Sequence, residues 1–97
     1  MLATVQSMIL LCHRVSVLYQ RGTATLGQIA MTKAHCTRLA RDVAAEARHI
    51  MGGNGILIEN HAMVALLDLE GIYTYEGTYE INTLVAGREI TGHSAFK

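Results

Sequence analysis

Apolar residues recur at steps of three and four along most of this 97-residue chain, and no proline interrupts them. That spacing places the apolar side chains on one face of an α-helix, whereas a half-buried strand would alternate apolar and polar residues. The absence of proline permits long helices. With one Phe and four Tyr, the chain is also poor in the aromatic residues that favour β-sandwiches and barrels. The pattern predicts an all-α fold, an antiparallel helical bundle of about four helices in a single domain over residues 1–97.

Four helical segments are predicted, at about residues 2–20, 26–51, 61–70 and 79–91. Thr25 and Gln28 fit a capping box at the start of the second helix. Asn60 and Thr78 are the predicted N-caps of the third and fourth helices. The connections are short, so neighbouring helices should run antiparallel. The apolar pattern is already running at Leu2 without a start signal, which suggests that the chain begins inside what is elsewhere a longer helix.

The apolar surface of such a domain should be partly covered by another subunit or another domain. Hydrophobic residues make up 51% of the chain, and the mean hydropathy is +0.25. A domain of this size cannot bury that much apolar surface alone, so an oligomer or a partner domain is expected. Residues 1–50 hold six of the eight Lys and Arg residues, whereas residues 51–97 hold six of the eight Asp and Glu residues. The two halves are therefore expected to pack against each other or against symmetry mates.

Several functional classes lose support at this point. The basic residues are spread out and lack interleaved aromatic residues, which argues against nucleic-acid binding. The longest purely apolar run, Met8 to Cys12, is too short for a membrane span, and no signal peptide is recognisable. The histidines show no metal-ligand spacing, so no metal site is expected. Cys12 and Cys36 lie in helical patterns and are predicted to be reduced, buried thiols in a reducing compartment.

The segment Gly52-Gly53-Asn54-Gly55 is a first candidate for a binding role. Its simplest interpretation is a helix end followed by a turn, because Gly and Asn tolerate positive φ. The glycine spacing and the lack of a preceding strand exclude a dinucleotide fingerprint and a P-loop. A bare glycine backbone can nevertheless lie close to a cofactor.

Glu76 is the candidate for catalysis. An isolated glutamate before a helix is by default a solvated acid. Here Ile72, Tyr73 and Tyr75 are expected to surround the carboxylate with apolar bulk, which makes a carboxylate a more usable base. Gly77 beside it leaves room for a substrate. These neighbours make Glu76 a candidate general base.

From about Leu39 to Phe96 the chain resembles the acyl-CoA dehydrogenase family. The segments that carry the resemblance are Leu39-Ala40-Arg41-Asp42, Met51-Gly52-Gly53-Asn54-Gly55-Ile56, Asp68-Leu69-Glu70, Thr74-Tyr75-Glu76-Gly77-Thr78 and Gly87-Arg88-Glu89-Ile90-Thr91-Gly92. The last two segments are similar to the glutaryl-CoA dehydrogenase branch and to plant-type short-chain acyl-CoA oxidases.

The resemblance implies a role for each residue around the candidate base. Glu76 would abstract the α-proton of an acyl-CoA thioester while the β-hydride passes to FAD. The backbone N–H of Glu76 would help to polarise the thioester carbonyl. Tyr75 and Gly77 would line the substrate site. Thr78 and Glu80 would face the phosphates of FAD.

The resemblance also implies a shared site. His49, Gly52 and Gly53 would touch the adenylate part of an FAD held by a neighbouring subunit of a homodimer or tetramer. Members of the family also have an N-terminal helical domain and a β-domain. The chain is therefore expected to be a truncated C-terminal helical domain, inactive alone. It would act in the cytoplasm of a bacterium, or in the mitochondrial matrix or peroxisome of a eukaryote.

Two alternatives remain open from the sequence. One is a fragment of a short-chain acyl-CoA oxidase, which differs in letting oxygen reach the reduced flavin. The other is a non-catalytic, self-associating helical bundle, which the apolar composition and the complementary charges of the two halves favour.

Overall fold

The computed structural model describes residues 1–96, and within that range the protein contains α-helices and 3-10 helices but no strand. The predicted all-α fold is thus confirmed. The α-helices are α1 (Leu2–Gln20), α2 (Leu26–Ile50), α3 (Ala62–Thr74) and α4 (Tyr79–Thr91), and the 3-10 helices between α2 and α3 are Gly52–Ile56 and Ile58–Asn60.

Helix α2 is the central element, and each of the other three α-helices packs against it. Its 25 residues extend for about 37 Å. Helix α3 lies along the C-terminal half of α2, where Arg41 forms an ion pair with Glu70. Helix α4 lies along the N-terminal half, where the Glu89 carboxylate reaches Gly27. Both helices run antiparallel to α2, one after the other, so residues 75–78 between them lie near its middle.

Helix α1 also packs antiparallel to α2, and none of its residues is buried. Cys12 on α1 is exposed and Cys36 on α2 is half-buried, with their Sγ atoms 3.7 Å apart. The prediction of two buried thiols is therefore wrong for Cys12, because no other described element covers the outer face of α1. Burial, followed by the hydrogen bond from Cys12, raises the pKa of Cys36 to about 11.

The buried core consists of small residues. Within residues 1–96 no large side chain is fully buried. The radius of gyration is 15.6 Å, against about 12.5 Å for a compact domain of this length. The accessible surface is 6783 Å², against about 5,500 Å² for a monomer of this mass. The residues that form the core are Ala30, Thr32, Ala34, Thr37, Ala44 and Ala86.

Helix α1 is long and apolar enough to cross a membrane, with a mean hydropathy of 1.3 over its 18-residue window. The uninterrupted apolar runs of the helix are nevertheless short, because polar residues such as Gln6 and His13 interrupt them while the mean hydropathy stays high. A single helix near the N-terminus that meets this criterion is weak evidence for a membrane span.

The start of α2 shows the predicted capping box. The Thr25 hydroxyl accepts a hydrogen bond from Gln28 N, and the Gln28 side chain accepts one from Thr25 N. Glu89 of α4 adds a second cap, since its carboxylate accepts from the Thr25 hydroxyl at 2.6 Å and from Gly27 N at 2.8 Å. A carboxylate at a helix N-terminus is stabilised by the helix dipole. Glu89 therefore joins α4 to the beginning of α2.

We expect Glu89→Ala to lower the free energy of unfolding by about 1 kcal/mol, because two donors at the N-terminus of α2 lose their partner. Urea denaturation followed by circular dichroism measures the change. Glu46→Ala is the matched control, since Glu46 is an exposed glutamate on α2 itself. Equal stability of the two variants would show that the Glu89 contacts contribute nothing.

Helix α3 differs from its predicted bounds. It begins after His61, which adopts a left-handed conformation with φ of 63°, and not after Asn60. The Asn60 side chain instead donates to Asn54 O at 2.8 Å and stabilises the preceding turn. The helix also continues through Gly71 and past residue 70 to Thr74. Its last turn is stabilised because Tyr73 packs against Tyr79 of α4 and Arg41 of α2.

Candidate active site

The candidate site is the four-residue break between α3 and α4. Glu76 has a φ of 54° and Gly77 a φ of 92°, so two successive residues are left-handed. Glycine adopts this region freely, but for a residue with a Cβ it costs about 1–2 kcal/mol. Glu76 therefore keeps this conformation only because its surroundings stabilise it, a situation that is frequent at functional sites.

Two side chains stabilise the break through its carbonyl groups. Lys33 of α2 donates from Nζ to Tyr75 O and, at 2.6 Å, to Gly77 O. Asn82 of α4 donates from Nδ2 to the same Gly77 oxygen at 2.7 Å and to Thr78 O at 3.0 Å. The carbonyls on both sides of Glu76 are thus bound by neighbouring helices.

An aromatic stack connects the two helices across the break. The rings of Tyr73 and Tyr79 lie 5.6 Å apart and 14° from parallel. Arg41 covers the Tyr73 ring at 4.2 Å, and Arg38 lies 5.8 Å from the centroid of the Tyr79 ring. The Arg41 contact and the stack itself each contribute roughly 0.5–1 kcal/mol. Together they align the end of α3 with the start of α4 along α2.

The carboxylate itself is not enclosed by this chain. Glu76 is exposed, and the side chains expected to surround it are open to solvent or occupied elsewhere. Tyr75 is 56% exposed and Ile72 is 38% exposed, whereas Tyr73 packs against Arg41 and Tyr79. The predicted apolar enclosure is therefore wrong for residues 1–96, because the stack and the Lys33 contacts draw the tyrosines toward α2.

The N-terminus of α4 follows directly. Thr78 is its N-cap, as predicted, and its hydroxyl accepts from Ile81 N at 3.3 Å. The first N–H groups of a helix have no partner within the helix, so those of Tyr79 and Glu80 are available to a ligand. A helix N-terminus suits phosphate oxygens. The exposed Glu80 carboxylate lies in the same turn and opposes an anion there.

The other predicted binding residues lie elsewhere. His49 is exposed near the end of α2, and Gly52 and Gly53 belong to the following 3-10 helix rather than to a simple turn. His49 lies 16 positions after Lys33 on the same helix, which corresponds to about 24 Å. The structure therefore brings together residues 75–80 but does not bring His49, Gly52 or Gly53 to them within one chain.

Sequence reasoning missed Lys33 and Asn82. A usable signal existed for Lys33, because it is adjacent on the helical wheel to the small residues Ala30, Ala34 and Thr37, which are all buried. A cation on a small-residue face needs an acceptor from the helix that packs there. Nothing in the sequence indicated that the acceptors are backbone carbonyls. No group of three His, Cys, Asp or Glu side chains that could hold a metal occurs in the described part of the chain.

A family model described as acyl-CoA dehydrogenase, C-terminal domain, matches residues 1–91. The chain belongs to the acyl-CoA dehydrogenase family. The match extends over α1, where the sequence alone offered a helical pattern without specific motifs. It also includes the whole break and α4, so the segment around Glu76 lies inside the matched domain.

This acyl-CoA dehydrogenase domain is similar in structure to part of two glutaryl-CoA dehydrogenases. A glutaryl-CoA dehydrogenase from Mycobacterium smegmatis is similar over 92% of the chain, with a TM-score of 0.87 and 34% identity. A glutaryl-CoA dehydrogenase from the same organism in complex with FADH2 is similar over 98%, with a TM-score of 0.86 and 29% identity. The chain spans 23% and 26% of the length of these two proteins.

Proposed function

We propose that this chain is the C-terminal helical domain of an FAD-dependent acyl-CoA dehydrogenase and that Glu76 is its catalytic base. The observation that carries the proposal is the left-handed, exposed Glu76 in a break that Lys33 and Asn82 stabilise. Residues held in such strained conformations cluster at active sites and ligand-binding segments. The similarity to glutaryl-CoA dehydrogenases supports an acyl-CoA as the substrate class.

The chemistry needs a base and a means of polarising the thioester. The α-proton of a thioester becomes acidic enough to leave only when the carbonyl oxygen is stabilised as negative charge develops. The Glu76 carboxylate takes the proton, and the Glu76 backbone N–H donates to the thioester oxygen. Tyr75 and Gly77 border the same position and line the substrate site. One residue thus supplies the base from its side chain and the donor from its backbone.

FAD is the cofactor in this proposal, and when bound it accepts the β-hydride of the substrate. The N-terminus of α4 fits its phosphates, because the Thr78 hydroxyl and the free N–H groups of the first turn are phosphate donors. Glu80 opposes the anion and requires a cation from another part of the protein. His49, Gly52 and Gly53 lie far from Glu76 along α2, so the adenylate contact that the family resemblance implies for them would be with an FAD bound by another subunit.

The exposed apolar surface supports assembly into a homodimer or tetramer. The compartment is the cytoplasm if the protein is bacterial, and the mitochondrial matrix or peroxisome if it is eukaryotic. The other domains typical of the family and a second subunit would cover this surface and enclose Glu76. The chain alone would then associate without catalysing the reaction. Self-association of the isolated chain would therefore follow from its apolar surface, and it would not require a function other than the proposed one.

Flavin retention tests the proposal most directly. The chain, and the holoenzyme that contains it, are incubated with FAD, passed through gel filtration and examined by visible absorption. We expect the holoenzyme to retain flavin that acyl-CoA bleaches without oxygen, and the isolated chain to elute colourless. A holoenzyme that does not retain flavin would refute the proposal, and rapid peroxide formation in air would identify an acyl-CoA oxidase instead.

A further inference from the structure

We propose that Lys33 is a positioning residue that orients and strengthens the Glu76 backbone N–H as a hydrogen-bond donor to the thioester carbonyl. This inference rests on the proposed function and adds to it a residue from a different helix. Its basis is the pair of hydrogen bonds from Lys33 Nζ to Tyr75 O and Gly77 O, the carbonyls that flank Glu76 in the chain.

The peptide plane explains how Lys33 acts on Glu76. Tyr75 O and Glu76 N belong to one planar peptide group, and in a trans peptide the C=O and N–H bonds point in opposite directions. Because Lys33 holds Tyr75 O toward α2, the Glu76 N–H is directed away from α2. Among residues 1–96 this N–H has no hydrogen-bond partner. It is therefore free for a ligand at the exposed face of the break.

The positive charge of Lys33 also strengthens the Glu76 N–H as a donor. A cation that donates to the carbonyl of a peptide group draws electron density from its nitrogen, so the N–H becomes a better donor. Hydrogen bonds that involve an ionised donor are roughly twice as strong as neutral ones. Lys33 also binds Gly77 O, which fixes the peptide plane on the other side of Glu76. The lysine thus sets both ends of the left-handed turn.

Asn82 does not duplicate this function. It shares Gly77 O with Lys33 and also binds Thr78 O, but it forms no hydrogen bond with Tyr75 O. Within residues 1–96, only Lys33 donates to the peptide group whose N–H belongs to Glu76. Loss of Lys33 should therefore weaken polarisation of the substrate even where Asn82 keeps the break folded.

The direct test is the infrared stretch of a bound thioester carbonyl. The probe is an acyl-CoA labelled with ¹³C at the thioester carbon, bound to holoenzyme carrying Glu76→Gln so that no turnover occurs. We expect a lower carbonyl frequency in this variant than in water, and a return toward the water value when Lys33→Met is added. Lys33→Arg in place of Lys33→Met should restore most of the lower frequency, because arginine also donates with a positive charge.

Kinetics of the otherwise unmodified enzyme give a second readout. Lys33→Met should lower kcat by at least about 10-fold, since removal of an oxyanion donor itself costs 10²–10³-fold, with a much smaller change in KM. Arg14→Met is the matched control, because Arg14 is an exposed cation on α1. If Lys33→Met does not fold, Lys33→Gln provides the comparison, since it keeps a neutral donor without the charge.

Failure of the inference and failure of the proposed function give different results. A carbonyl frequency equal to the water value in the Glu76→Gln protein itself would mean that the thioester is not bound at this residue, and the function would be wrong. A lowered frequency in that protein that Lys33→Met leaves unchanged would overturn the role of Lys33 alone, and one that Lys33→Gln leaves unchanged would overturn the contribution of its charge. A return of the frequency in the Lys33 variants but not with Arg14→Met would support it.

Discussion

Replacement of Glu76 by glutamine is expected to abolish α-proton abstraction in the holoenzyme, with kcat falling by about 10²- to 10⁴-fold. Glutamine keeps the size of the side chain and the backbone N–H, but its amide does not accept a proton at neutral pH. Substrate binding and the flavin spectrum should therefore persist. The measurement is the incorporation of deuterium at the α-carbon of an acyl-CoA in D₂O, followed by mass spectrometry alongside steady-state turnover.

Glu46→Gln is the matched control for this experiment, because Glu46 is an exposed glutamate on α2, away from the break. It should exchange the α-proton at the rate of the unmodified enzyme. Retained exchange in the Glu76 variant would contradict the assignment of the base. A loss of bound flavin in that variant would instead indicate that the break supports cofactor binding.

The substitution with the largest expected effect on stability is Gly55→Ala. Gly55 is buried in the 3-10 helix after α2, and a Cβ at this position would lie 2.1 Å from Arg48 O and 2.9 Å from Arg48 C. Both atoms belong to the backbone, so no side chain can move aside to relieve the overlap. We expect a loss of about 3 kcal/mol in the free energy of unfolding, measured by urea denaturation.

Gly53→Ala separates steric overlap from the general effect of removing a glycine. Gly53 lies in the same 3-10 helix, its φ is outside the left-handed range, and a Cβ there would meet no atom within 4 Å. The free energy of unfolding of the Gly53→Ala variant should differ from that of the unmodified protein by less than about 1 kcal/mol. Equal destabilisation of both variants would mean that the close approach of Gly55 to α2 does not exist in solution.

Local signals predicted the helices well where the cap is made by neighbours in sequence. Thr25 and Gln28 act within one turn, and the structure shows the capping box that their spacing indicated. Thr78 caps α4 through its hydroxyl, which accepts from Ile81 N. Asn60 was misassigned because its side chain bonds to Asn54 in the preceding turn, an alternative that competes with helix capping and depends on the path of the backbone.

Long-range contacts set the features that the sequence did not reveal. Helix α3 continues to Thr74 because Tyr73 stacks on Tyr79 and lies under Arg41, partners that are distant in sequence or separated by the break. The same contacts pack the Tyr73 ring between Tyr79 and Arg41. Periodicity describes one helix at a time, so it could not indicate which surface each tyrosine would cover.

The candidate site was likewise predicted only in part. The order of residues 75–80 placed the carboxylate, the glycine and the N-cap next to one another, and the structure keeps them together. The left-handed conformation of Glu76 depends on Lys33 of α2, which binds the neighbouring Tyr75 carbonyl. Lys33 and Tyr75 are 42 residues apart in the sequence. A single sequence contains no direct record of that pairing.

The position of the break beside one uninterrupted helix restricts how this domain can change during evolution. Lys33 reaches the break, and Arg38 and Arg41 reach the flanking Tyr79 and Tyr73, from successive turns of α2. Removing or adding one residue between Lys33 and Arg41 would rotate one end of α2 by about 100° relative to the other. The lysine and the arginines would then face different sides of the domain. Substitutions can accumulate along α2, whereas insertions and deletions within this stretch should be eliminated by selection.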